Sequence, residues 1–136
     1  MFRYRQIVCN ALLLMCLSSR AAFAIEMTGL WPSPAEVIAL PHFCYGQFLK
    51  EKYTAPEFNI PQSCGVGMNH YCPALVVLNR ANKSYADRMN RRGYLESAER
   101  QTVYTLEAMK KSPSCPIRPH VENTYRQIQM QIKLMH

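Results

Sequence analysis

This 136-residue chain predicts an all-α fold, a small antiparallel helical array stapled by disulfides. Three observations carry the prediction. Apolar residues recur at steps of three and four through the second half, the period of a helix face turned to a core. No alternating strand pattern of convincing length interrupts them. The first 24 residues read as a secretory signal, which makes the downstream cysteines candidates for covalent staples rather than reactive thiols.

The leader has the three parts that export requires. Arg3 and Arg5 form a positive head, and Ile7 to Leu17 form an apolar stretch too short to span a bilayer. Ala22-Phe23-Ala24 supplies the small-x-small triplet for cleavage, so the mature domain is expected to be residues 25–136 in the periplasm or secreted. Cys16 as a lipid-bearing cysteine is the competing reading. Met15 stands where that motif wants a small residue, so soluble export is preferred.

The mature elements follow in order. Ile25 to Pro32 is an irregular lead that contains the only tryptophan, Trp31. Ser33-Pro34-Ala35-Glu36 has the form of a helix start, with a capping serine, proline at the first position and a glutamate able to bond back. Pro41 stops that helix early. A second helix is expected over His42 to Lys52, and Tyr53 to Gly67 reads as loop from its prolines and glycines. Met68, Cys72, Leu75 and Leu78 mark a buried helix face over Met68 to Ala81. Leu95, Ala98, Thr102, Leu106 and Met109 mark a longer helix beginning near Asp87 and ended by Pro113 and Pro116. Ile117, Val121, Tyr125, Ile128, Ile132 and Met135 form one apolar stripe on a final, otherwise polar helix. Short loops make such neighbours antiparallel.

Composition excludes several function classes. The leader removes three of the sixteen basic residues and none of the nine acidic ones, leaving a mild positive excess scattered along the helices. Nucleic-acid binding needs a denser basic stripe with aromatics placed for stacking, so it is not expected. No mature segment is long and apolar enough for a membrane helix. Cys9 and Cys16 leave with the leader, so Cys44, Cys64, Cys72 and Cys115 remain, enough for two disulfides in three possible pairings. The absence of Cys-x-x-Cys argues against thioredoxin-type chemistry and covalent haem attachment.

Asn69-His70-Tyr71-Cys72-Pro73-Ala74-Leu75, followed by Leu78-Asn79-Arg80-Ala81, resembles a group of bacterial exported proteins related to tetratricopeptide repeats. Ala39-Leu40-Pro41-His42-Phe43-Cys44 upstream resembles the same group, and the likeness spans about Ala39 to Gln131. Gly93 and Ala98 resemble the turn and second helix of a repeat unit, with Pro113 closing it. At most one and a half units are present, too few to cover their own faces, so the N-terminal segment and the disulfides would substitute for missing repeats. The resemblance implies pairing of Cys44 with Cys72, which leaves Cys64 for Cys115.

No catalytic constellation stands out. Ser112, Ser114 and His120 are close in sequence but lie in a proline-punctuated turn, and a triad is recognised by geometry. Asp87 is the only aspartate, and the glutamates read as solvated helix-surface residues, so no paired-carboxylate site is expected. His42, Cys44, His70 and Cys72 repeat a His-aromatic-Cys pattern that would suit zinc or copper if the thiols were free. Met130, Met135 and His136 could bind soft copper, although Met135 belongs to the apolar stripe. The preferred reading is a non-enzymatic adaptor without a cofactor. Its partner would be another envelope or secreted protein, and Tyr71, Tyr94 and Tyr104 are its candidate anchors, with core packing as the equal alternative for each. The alternative is a periplasmic metal-binding protein built on the histidines.

Overall fold

A computed structural model describes residues 31–136; the signal-peptide and lipidation readings fall on residues outside that range. The chain divides after Ser33, and only residues 31–33 of its first unit are described. The second unit, Pro34–His136, is all-α and disulfide-bonded. Its α-helices are α1 (Pro34–Ile38), α2 (Tyr45–Phe48), α3 (Tyr71–Lys83), α4 (Arg88–Met109) and α5 (Arg118–Lys133). No strand occurs among the described residues, and no helix there is long and apolar enough to cross a membrane.

Local chemistry sets the helix ends. Pro73 sits in the first turn of α3, where its missing N–H forfeits no helical bond. Asp87 caps α4 by accepting from the Asn90 backbone N–H at 3.0 Å, as the expected start near Asp87 requires. Pro119 occupies the first turn of α5, and the Arg118 guanidinium donates to the Met109 carbonyl at the C-terminal end of α4. That bond ties the exit of one helix to the entry of the next.

α3, α4 and α5 pack in sequence as antiparallel neighbours around two apolar clusters. In the first, Tyr71, Cys72, Leu75 and Val76 from the start of α3 meet Met109 from the end of α4 and Val121 from the start of α5. In the second, Leu78 and Ala81 from the end of α3 meet Leu95, Ala98 and Ile128. Every sequence-read stripe supplies core residues. The stripe included buried Thr102 but missed buried Thr105, because a hydroxyl reads as polar. Thr102 and Thr105 donate to the carbonyls of Ala98 and Gln101, at 2.8 and 3.0 Å, and so enter the core satisfied.

The first half departs from the expected elements. The helix read over His42 to Lys52 is a 3-10 turn, His42–Cys44, followed by the single turn of α2. Met68–His70 is also a 3-10 turn that leads into α3. Gly93, read as a repeat turn, lies inside the unbroken α4; the α3–α4 connection is residues 84–87. Glu36 is not a solvated surface glutamate. It forms a two-point pair with Arg80, at 2.7 and 3.2 Å, joining α1 to α3 with both side chains less than one-fifth exposed. Hydrogen bonding to Glu36, opposed by burial, raises the Arg80 pKa above its ordinary value.

Candidate functional site

Two disulfides, Cys44–Cys72 and Cys64–Cys115, anchor the irregular first half to the helices. This is the pairing that the sequence resemblance implied. All four sulfurs lie in the first apolar cluster. The crosslinks interleave along the chain, each starting inside or ending beyond the loop of the other. Cys64–Cys115 matters most for the surface, because it places the loop after Cys64 against the C-terminal part of α4.

Gly65 and Gly67 both adopt positive φ, +76° and +97°. They need that conformation and the absence of a side chain. A Cβ on Gly67 would lie 2.6 Å from the Ala108 Cβ, and one on Gly65 would lie 2.6 Å from the Ser112 Oγ. The backbone therefore presses onto α4 and pushes Val66 outward, where it is 93% exposed. An open groove of about 430 Å³ results, lined by this ledge with Tyr104, Glu107, Ala108 and Lys111. A second depression of about 320 Å³ shares Gly65 and is bounded by Phe43, Ile60, Met68 and Lys50.

Tyr104 is half-exposed and set against His70, with ring centroids 4.2 Å apart. His70 thus packs beside a residue of the groove, a contact that its sequence neighbours did not reveal. Tyr94 packs half-buried against the second apolar cluster. Tyr71 does not fit an anchor at all. It is fully buried, because its helix face is the one turned to the first cluster.

The Tyr71 hydroxyl instead joins α3 to α5 through Thr124 Oγ1, at 2.8 Å, and His120 Nδ1. Proton counting assigns the roles. Thr124 spends its one proton on the His120 carbonyl, at 3.0 Å, so its oxygen accepts from Tyr71. The Tyr71 oxygen must then accept from an Nδ1–H of His120. Burial pushes the Tyr71 pKa up to about 12. His120 also packs edge-on against Phe43, with centroids 5.8 Å apart. Ser112 lines the groove, whereas His120 Nδ1 is engaged by Tyr71, so the structure shows no serine–histidine hydrogen bond there.

The structure does not bring the residues of the metal alternative together as a ligand set. Cys44 and Cys72 are oxidised to one another and offer no thiolate. His42 packs on Tyr45, with centroids 5.1 Å apart, and His70 packs on Tyr104. Among the described residues no group of three or more His, Cys, Asp or Glu side chains converges. Met130 is exposed, while Met135 packs half-buried against the second cluster, as its place in the stripe predicts. Comparisons with protein-family models, curated proteins and solved structures find no match to this chain.

Proposed function

We propose that this chain is an exported helical adaptor that holds an extended peptide segment of another envelope or secreted protein across the Gly65–Gly67 ledge. One observation carries the reading. Two adjoining depressions flank a disulfide-held backbone ridge, and an aromatic side chain stands half-exposed beside it. Tyr104 supplies apolar contact area and a polar tip, the properties of an interface anchor. Its rotamer is restrained by His70 before any partner arrives, which lowers the entropy cost of binding. Val66 is the second apolar contact. The mixed charges of Glu107 and Lys111 suit a polar rim. The resemblance to tetratricopeptide-related exported proteins supports recognition through a helix face, and the disulfides support an oxidising compartment.

Photocrosslinking from the groove tests the proposal. A photoreactive phenylalanine at position 104 is expected to join one defined segment of an envelope protein, whereas the same group at exposed position 126 is not. A synthetic peptide of that segment should bind at least about tenfold more weakly to Tyr104→Ala, the loss typical of an interface anchor, and unchanged to Arg126→Ala. Equal labelling from both positions, or equal affinity of both variants, overturns the assignment.

A further inference from the structure

The far end of the helical array carries a second, unrelated surface. There the end of α3, the 84–87 connection, the first turn of α4 and the end of α5 meet. Tyr85, Met89 and Leu134 are 78%, 85% and 80% exposed, an unusual concentration of large apolar side chains away from the groove. Tyr85, Arg88, Arg91, Leu134 and Met135 border one shallow depression. Arg88 donates to the Met135 carbonyl, and the Arg91 guanidinium lies 5.0 Å from the Tyr85 ring centre. Lys83 and Lys133, the last residues of α3 and α5, add exposed cations, and Arg92 adds another in the second turn of α4. The acidic side chains of this region are Asp87, engaged as the α4 cap, and Glu96, paired with Arg92 at 2.9 Å.

We infer that this end docks on an anionic phospholipid surface, with Tyr85, Met89 and Leu134 entering the interface and the surrounding lysines and arginines meeting lipid phosphates. Charge complementarity selects that occupant. A second copy of this chain would bring like-charged ends together. An acidic peptide would match the cations, but side chains about four-fifths exposed form no groove walls to grip it. A lipid interface satisfies both features: apolar tips insert, tyrosine sits at headgroup level, and basic side chains reach the phosphates. The surface excludes the Gly65–Tyr104 groove, so it stands independently of the adaptor proposal.

Sedimentation of the mature, oxidised protein with lipid vesicles tests the inference. Binding is expected to phosphatidylethanolamine–phosphatidylglycerol vesicles and to fall at least about tenfold on phosphatidylcholine vesicles or at ~0.5 M salt. Joint Lys83→Gln and Lys133→Gln substitution should weaken partitioning about thirtyfold, from about fivefold for each basic residue near an anionic surface. Met89→Ser with Leu134→Ser should cause at least about a tenfold loss. Circular dichroism and intact disulfides confirm that each variant remains folded. Equal binding to both vesicle types overturns the inference, as does unchanged partitioning of either double variant. Capture by soluble polyglutamate as tight as capture by anionic vesicles also overturns it, by reducing the surface to a simple polyanion site.

Discussion

Burying the Tyr71 ring between α3 and α5 is tolerable only because its hydroxyl finds Thr124 and His120. Tyr71→Phe keeps the ring packing and removes the link. The expected destabilisation is about 1–2 kcal/mol in urea unfolding. Alkali gives a second readout. The native phenol stays protonated to about pH 12, whereas an exposed tyrosine ionises near 10. Stability from this group is therefore complete below about pH 10 and declines toward pH 12, by up to about 1.4 kcal/mol per pH unit. The Phe variant should lack that component of the decline. Two glycines should respond oppositely to alanine. Gly67→Ala places a Cβ against Ala108 at positive φ and should cost about 2 kcal/mol or more. Gly93→Ala meets no atom within 4 Å on an exposed helical turn and should stabilise by about 0.5–1 kcal/mol. Thermal melting of the two variants checks both signs. The sequence marks Gly65 and Gly67 as loop residues, but not that they press on Ala108 and Ser112. That approach depends on the Cys64–Cys115 staple and has no local pattern.

At the scale of elements, legibility follows periodicity. α4 and α5 emerge from their apolar stripes within one or two residues, and Asp87 caps α4 as its side chain suits. α3 is legible too, except that its expected first turn is 3-10. The first half was read less well because α1, α2 and the 3-10 turns are too short for a stripe to develop, and covalent bonds fix their place. Tyr71 stays open between anchor and core in the sequence for a related reason: an aromatic on a helix looks the same whether it faces core or solvent. Loss of the crosslinks should therefore be felt mainly in the first half. The chain-entropy estimate is about 3.6 kcal/mol for Cys44–Cys72, separated by 28 residues, and about 4 kcal/mol for Cys64–Cys115, separated by 51. Cys64→Ser with Cys115→Ser should lower stability by an amount of that order. It should also speed amide exchange over residues 56–70 while α5 retains most of its protection. Hydrogen exchange read by mass spectrometry distinguishes that pattern from uniform loosening.

The molecule as a whole joins a regular three-helix half, held by apolar packing, to an irregular half held by sulfur. Both crosslinks pass through the first apolar cluster, and the second cluster contains none. The groove lies beside the crosslinked region, where Cys64–Cys115 holds the ledge in place. The two disulfides fit an exported protein, the expectation also drawn from the leader read in residues 1–24. The most direct measurement is the intact mass of the native protein together with its non-reduced peptide map. The account predicts a chain beginning at Ile25, four hydrogens lighter than its reduced form, with Cys44 linked to Cys72 and Cys64 to Cys115. A native product that begins at Met1 and carries four reactive thiols at those positions would contradict it.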